Sequence, residues 1–158
     1  MCLAMDSVMD SKPEVIQLAP GPGLAIRAQL PQRDLPDFFG GAFHELVACA
    51  GDQIAGPPFA IYHSFDPVTI DVSAIVPVRN KVAPRGRVIA IELAGGPAVQ
   101  IKHVGPYEDL GETYRALQDW LERNHRTREG AVRELYVSMP TVPPAEHVTY
   151  VIQPLHAP

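Results

Sequence analysis

The same order of predicted elements occurs twice along the chain, and this duplication limits its fold more than any other feature. Gly56 precedes Tyr62 by six residues, and Gly130 precedes Tyr136 by six. The two tyrosines are 74 residues apart, and each is followed by a turn and an apolar strand that ends near a proline. Each half is predicted to be strand, helix, strand, strand. Two such units predict an α+β fold, a tandem pseudo-dimer whose antiparallel sheet carries two helices on one face.

Two segments have the apolar spacing of an amphipathic helix, one in each repeat. The residues PQRDL open the first. Its wide apolar stripe consists of Leu35, Phe38, Phe39, Ala42, Phe43, Leu46, Val47 and Ala50. The second begins near Pro106, and its stripe is Leu110, Tyr114, Leu117 and Leu121. Both stripes follow the 3.6-residue period that buries one side of a helix.

Length and composition are typical of one globular domain. We predict a flexible tail over residues 1–13 and a domain over 14–156, with repeats at about 14–78 and 87–155. A net charge of −5 argues against nucleic acid as the main partner. The N-terminus has no signal-peptide pattern, and no run approaches the roughly 18 apolar residues of a membrane span. A cytoplasmic location without membrane contact is therefore expected.

Cysteine and histidine positions predict neither a disulfide nor a metal site. Cys2 and Cys49 fit no disulfide framework and are expected to be free thiols in a reducing compartment. The six histidines lack the H-x-H and H-E-x-x-H spacings of metal ligands, so no metal or cofactor is predicted. His63 and His103 end strands, where they either shuttle protons or hydrogen-bond near a turn.

The segment VRELYV, residues 132–137, places a carboxylate in the middle of a predicted strand. Alternation puts Val132, Glu134 and Tyr136 on one face, and Arg133, Leu135 and Val137 on the other. We expect Leu135 and Val137 to face the helix, so that Glu134 and Tyr136 face a concavity formed by the two repeats. Tyr62, the counterpart of Tyr136, should face the same way. The alternative is a solvated face with an exposed glutamate.

Five segments together resemble the GyrI-like family, which includes effector-binding domains of AraC-type and MerR-type multidrug-responsive activators. They are GPPFAIYH (56–63), DVSAIVPV (71–78), HVGPYEDLGETYRALQDWL (103–121), RELYVSMP (133–140) and VIQPL (151–155). The resemblance runs from about Val15 to Leu155. It implies a tandem pseudo-dimer with a ligand cleft between the halves, on the sheet face opposite the helices. Glu134 and Tyr136 match the family's E-x-Y motif, whose glutamate reaches into that cleft.

The resemblance implies a stand-alone protein that binds a bulky hydrophobic, aromatic or cationic small molecule, with Glu134 as the anchor. Similar free-standing members hydrolyse the strained cyclopropane of DNA-alkylating natural products. The alternative is therefore a self-resistance hydrolase in which Glu134 is the general acid or base and Tyr136 assists. Another member interacts with DNA gyrase, so a topoisomerase-binding module is a third alternative. Only about 13 residues precede the domain, so direct nucleic-acid binding through a helix-turn-helix is not expected.

The ligand-binding candidates are one carboxylate and five aromatic side chains: Glu134, Tyr136, Tyr62, Trp120, Tyr107 and Tyr150. Aromatic faces attract planar and cationic ligands through stacking and cation–π contacts. Core packing is the alternative for Trp120 and Tyr107, and the strand parity of Tyr150 is left open. Ser73 and Met139 stand where the family often has acidic residues, which bears on the charge of the ligand more than on the fold.

Overall fold

The computed structural model describes residues 12–66, 68–138 and 141–157. The strands are β1 (Glu14–Leu18), β2 (Gly21–Leu30), β3 (Phe59–Phe65), β4 (Ile70–Pro77), β5 (Ile89–Leu93), β6 (Gly96–Val104), β7 (Val132–Tyr136) and β8 (Val148–Pro154). The helices are α1 (Leu35–Ala50) and α2 (Leu110–Arg123). These elements confirm the predicted α+β class with one helix in each half. Cys2, Met139 and most of the predicted tail lie outside the described residues.

Contacts between residues divide the chain into two compact units. The N-unit, Leu18–Gly95, has the strand order β3-β4-β2-β5 and contains α1. The C-unit comprises the residues up to Gln17 and those from Gly96 onwards, with the order β1-β6-β8-β7 and α2. Strand β1 therefore belongs with the second half of the chain and β5 with the first. The units differ in this respect from the repeats predicted at about 14–78 and 87–155.

Helix α1 packs on β2 and β4 of the N-unit and closes an apolar core. Its Ala42, Leu46 and Ala50 are buried at intervals of four residues, as the predicted stripe requires. The helix ends at Gly51, whose φ of 58° is a left-handed conformation that glycine adopts without a Cβ clash. The predicted free thiol Cys49 packs against this core and bonds to no other cysteine within the described residues.

Helix α2 packs on β6 of the C-unit. A short 3₁₀ turn, Tyr107–Asp109, precedes it, with Pro106 at the N-cap. Leu117 and Leu121 are buried as the sequence pattern predicts, and Thr113 is buried beside them. The helix therefore covers its side of the C-unit with a face that is partly polar.

The prediction that Leu135 and Val137 face this helix is wrong. The hydroxyl of Tyr114, a residue of α2, donates a hydrogen bond to the carboxylate of Glu134. Glu134 therefore lies on the helix side of β7, where it is only 5% exposed, whereas Val137 is 45% exposed. Apolarity misleads here because the inner surface of α2 offers hydroxyl groups as well as leucines.

An ion pair joins β2 and β4, and its acid sensitivity can be predicted. Arg27 donates from Nε to Asp71 Oδ1 at 2.9 Å and from a terminal nitrogen to Oδ2 at 2.8 Å. These bonds lower the pKa of the Asp71 carboxyl from its ordinary value of 3.8. Since the folded pKa lies below the unfolded one, the pair stabilises the fold above pH 3.8 and loses this effect as pH falls through the folded pKa.

We therefore expect the melting temperature of Asp71→Asn to lie slightly below that of the unaltered protein at pH 7. The difference should shrink as the pH falls through the acid range, because both proteins then lack the charged pair. Thermal melts at a series of pH values measure this difference. A difference that stays constant down to pH 3 would contradict the assignment.

Within the described part of the chain, neither helix combines the length and hydropathy that crossing a membrane requires.

Candidate functional site

A buried glutamate in the C-unit is held by two tyrosine hydroxyls. Tyr136 donates to Glu134 Oε1 at 2.7 Å, and Tyr114 donates to Oε2. Tyr136 follows Glu134 by two residues on β7, so both side chains emerge from the same face of the strand. Tyr114 reaches the same carboxylate from α2. Hydroxyl donors to both oxygens favour the ionised carboxylate and fix its orientation.

Aromatic rings continue from this carboxylate in a series. The residues of this site, called the Glu134 cluster below, are Glu134, Tyr114, Tyr136, Tyr107, His147 and Thr149, the last of which pairs with Tyr136 across the sheet. The ring of Tyr107 meets that of Tyr136 edge-on, with centroids 5.9 Å apart. The ring of His147 stacks on that of Tyr107, with centroids 4.9 Å apart. Burial, and then the negative charge of Glu134, raise the pKa of Tyr107. The series thus combines π surfaces with a nearby negative charge, which is the combination that attracts an aromatic cation.

A second polar pair lies between β6 and α2. The Nε2 atom of His103 is 3.0 Å from the carbonyl oxygen of Pro106, and its Nδ1 is 2.9 Å from the Thr113 hydroxyl. A carbonyl only accepts, so Nε2 carries the proton and, in the neutral ring, Nδ1 accepts from Thr113. Both ring nitrogens are therefore engaged in holding the start of α2 against the strand. Of the two readings of His103, the structure favours the hydrogen-bonding one.

The N-unit carries apolar side chains at the positions where the C-unit strands are polar. Strand pairing aligns the units: His103 pairs with Thr149 as Ala28 pairs with Val72, and Glu134 pairs with Val151 as Ala60 pairs with Ala74. The corresponding residues are thus His103 and Ala28, Glu134 and Ala60, and Thr149 and Val72. Tyrosine is common to both units, as Tyr136 and Tyr62.

The two helices differ in the same way, because α1 has apolar residues at positions where α2 has polar ones. Both follow a 3₁₀ turn, and Leu110 begins α2 as Leu35 begins α1. In this alignment Thr113 corresponds to Phe38 and Tyr114 to Phe39, and both phenylalanines pack against the N-unit core. The same architecture therefore folds without any of these polar groups. Because a buried carboxylate costs folding free energy, its presence in one unit alone indicates a role other than stability.

The remaining aromatic candidates are Tyr150 and Trp120 in the C-unit and Tyr62 in the N-unit. Tyr150 pairs with Leu135, so it projects from the face of the C-unit sheet opposite to Glu134. Trp120 is half-buried on α2 and makes no ring contact with the cluster in the described part of the chain. Tyr62 is buried in the N-unit, edge-on to Phe39 and stacked on Phe65.

His63, the other strand-end histidine, lies at a bulge where the pairing of β3 with β4 shifts register. Its Nε2 lies 2.9 Å from the hydroxyl of Ser73. Burial, and then the charge of Arg27, lower the pKa of His63, while Asp71 acts in the opposite sense.

Three residues of the cluster escaped sequence reasoning. Tyr114 was assigned only to the apolar stripe of the helix, and neither His147 nor Thr149 was singled out. Alignment of the two repeats contains the missing signal, because these three positions correspond to Phe39, Ile70 and Val72. A position that is polar in one repeat and apolar in the other is therefore a candidate site position.

Two other kinds of site receive no support near these residues. No group of three or more His, Cys, Asp or Glu side chains suited to a metal ion occurs within the described ranges. A surface depression of about 380 Å³ in the N-unit is lined by residues that include Pro22, Lys81, Val82 and Glu92. It has no aromatic lining residue and contains none of the predicted site residues.

Solved structures share this fold at low sequence identity. The C-terminal domain of EcmrR superposes with a TM-score of 0.82 over 92% of this chain and 98% of that one, at 20% identity. A hydrolase from Listeria innocua has a TM-score of 0.74 over 92% of each chain, at 17% identity. SAV2435 bound to tetraphenylphosphonium has a TM-score of 0.61 over 92% of this chain and 94% of that one, at 14% identity.

The sequence itself also matches a defined family. No curated protein sequence matches the chain significantly. The family described as the GyrI-like small molecule binding domain, in contrast, matches residues 11–156. This match spans both units, all eight strands and both helices, and it agrees with the structural similarities. The chain therefore belongs to the GyrI-like small-molecule-binding domain family.

Proposed function

We propose that this chain binds a bulky aromatic cation, with the Glu134 carboxylate as the electrostatic anchor. One observation carries the proposal: Glu134 is buried, oriented by Tyr114 and Tyr136, and replaced by Ala60 in the sister unit. A buried carboxylate that the fold does not need is suited to a positively charged ligand, because ligand binding then restores the charge balance.

The aromatic side chains support the same class of ligand. Tyr107 and Tyr136 form adjoining ring surfaces beside the carboxylate, and 46% of Tyr107 is exposed. An exposed ring at the edge of a buried charge provides a surface on which a planar or aryl-substituted ligand can stack. The structural neighbour SAV2435 is bound to tetraphenylphosphonium, a cation of this class.

Titration calorimetry with tetraphenylphosphonium and the neutral triphenylphosphine oxide tests the proposal. We expect measurable binding of the cation and at least tenfold weaker binding of the neutral compound. The two molecules share a triphenylphosphorus group and differ in charge, in the fourth ring and in the oxide oxygen, and Glu134→Gln separates the effect of charge from the other two. Equal affinities would contradict the role of Glu134 as a charge partner, and the absence of binding would contradict the ligand class.

The alternative is hydrolysis of a strained, electrophilic ring by the same residues. Glu134 would take a proton from water as the water oxygen bonds to a cyclopropane carbon. The broken carbon–carbon bond would leave its electron pair on a conjugated carbonyl, which a tyrosine hydroxyl polarises. The proton held by Glu134 would then pass to that carbonyl oxygen, which completes the addition of water and regenerates the carboxylate. The position of Glu134 between two hydroxyls suits these steps, and a structural neighbour is described as a hydrolase.

Mass spectrometry of a recovered ligand separates the two functions. After incubation with cyclopropane-bearing alkylators, a binding protein returns the compound unchanged. A hydrolase returns product that has gained one water molecule in more than stoichiometric amount, and Glu134→Gln abolishes this turnover. Retention without a mass change would favour binding, and neither retention nor conversion would favour a protein partner.

A further inference from the structure

Three buried polar atoms near Glu134 lack any hydrogen-bond partner. They are Nδ1 and Nε2 of His147 and Oγ1 of Thr149, and within the described residues no other buried side-chain nitrogen or oxygen is left without one. Native proteins pair nearly all such atoms, because an unpaired buried polar group loses its bonds to water without replacement. Two residues with unpaired buried atoms, one just before β8 and one within it, therefore require an explanation.

Thr149 adjoins Tyr136, one of the two tyrosines that orient Glu134, and His147 is connected to it through Tyr107. Thr149 is completely buried and pairs directly with Tyr136 across the neighbouring strands. The ring of His147 stacks on Tyr107, which in turn contacts Tyr136 edge-on. Glu134 lies diagonally across from Thr149, and such neighbours are about 7–8 Å apart. The Thr149 hydroxyl therefore lies roughly one aromatic ring away from the carboxylate, and His147 lies further along, beyond Tyr107.

The sister unit shows that the fold does not require these polar groups. Val72 stands at the position of Thr149, and by the same offset of 77 residues Ile70 stands at that of His147. Both N-unit residues are buried hydrocarbon side chains. A threonine and a histidine with unpaired atoms thus replace an arrangement that leaves nothing unpaired.

We propose that His147 and Thr149 form a hydrogen-bonding subsite for an uncharged hydroxyl or carbonyl group of the ligand. A neutral imidazole offers one donor and one acceptor, and a threonine hydroxyl offers both. A ligand hydroxyl can pair with the Thr149 hydroxyl and with one of the two ring nitrogens of His147. The inference rests on the proposed function, and it narrows the ligand to an aromatic cation that carries an oxygen substituent about one ring away from its charge.

A matched pair of ligands tests the subsite. Tetraphenylphosphonium has no hydrogen-bonding group, and (4-hydroxyphenyl)triphenylphosphonium differs from it by one oxygen atom. By calorimetry we expect the unaltered protein to bind the hydroxylated cation about five- to tenfold more tightly, the effect of one to two well-placed hydrogen bonds. In Thr149→Val and in His147→Phe this preference should fall to about twofold or less. Affinity for tetraphenylphosphonium is measured in the same variants, so that the preference is a ratio of two affinities within each protein.

Two controls make the result specific. Thr127→Val alters an exposed threonine of the same unit and should keep the preference for the hydroxylated cation. Thr149→Val should melt at the same temperature as the unaltered protein or higher, since it removes an unpaired hydroxyl and the sister unit accommodates Val72. A clear fall in melting temperature would overturn the proposal, because it would mean that the fold itself uses the hydroxyl.

The outcomes for the subsite and for the proposed function are distinguishable. Equal binding of the two cations by the unaltered protein, with both weakened by Glu134→Gln, would overturn the subsite and leave the proposed function intact. Binding of neither cation would overturn both.

Discussion

The change Glu134→Gln is expected to weaken binding of tetraphenylphosphonium about 30-fold, or roughly 2 kcal/mol. Glutamine keeps the volume of the side chain, and its carbonyl oxygen can accept from one tyrosine hydroxyl while its NH2 donates to the other, so the change removes mainly the charge. Affinity for the neutral triphenylphosphine oxide should change less than about threefold, because that ligand has no charge to be paired.

Glu108→Gln is the matched control for this experiment. It removes the same formal charge from an exposed position in the same unit, where salt and water screen the carboxylate. We expect it to leave the affinity for the cation within about twofold of the unaltered protein. A comparable loss in both variants would assign the effect to net charge rather than to the buried anchor.

The phenol of Tyr107 provides an independent readout of the charge on Glu134. The carboxylate contributes to the raised pKa of Tyr107, since ionising the phenol places a second negative charge nearby. Glu134→Gln should therefore lower the pKa of Tyr107, measured by ultraviolet titration of the tyrosines. An unchanged titration would mean that Glu134 is uncharged in the free protein, which would contradict both its role as a charge partner and its role as a general base.

The change Leu46→Ala is expected to destabilise the protein by about 3 kcal/mol. Leu46 is fully buried on α1 and packs in the N-unit core. Its truncation removes apolar burial and leaves a cavity among neighbours that include Leu24 and Ile26. For a domain of this size such a loss corresponds to a fall in melting temperature of about 6–12 °C. Calorimetric or urea unfolding measures the change.

Val47→Ala is the control for this substitution, because Val47 is the next residue of the same helix and is 43% exposed. The change keeps the helix and slightly improves its intrinsic propensity. We expect an effect within about 0.5 kcal/mol in either direction. Similar losses for both variants would contradict the assignment of Leu46 to the core and of Val47 to the surface.

Repetition and periodicity in the sequence were sufficient to predict the class of fold. The order of elements recurs at an offset of 74 residues, and each repeat contains one helix with an apolar stripe. These signals are local, since turns, strand alternation and helical spacing all arise between residues close in the chain. The pairing of β1 with the second half is not local, because it depends on which strand edge is free after folding.

The position of Glu134 shows the boundary between sequence and tertiary structure most clearly. Alternation in VRELYV correctly grouped Glu134 with Tyr136, because the two-residue period follows from the extended conformation of the strand backbone alone. Alternation alone does not tell which face a helix covers. The apolar character of Leu135 suggested the wrong one, because a hydroxyl on α2 reaches the carboxylate of Glu134 from the covered side.

The sequence by itself determined the α+β class, the duplication, the E-x-Y pair and, through its similarity to known proteins, the GyrI-like small-molecule-binding domain family. Only the tertiary structure decided which side chains surround the carboxylate. Tyr114 comes from α2, whereas His147 and Thr149 lie two residues apart, just before and within β8. Their proximity to Glu134 depends on strand register and helix packing, and no local pattern encodes either of these.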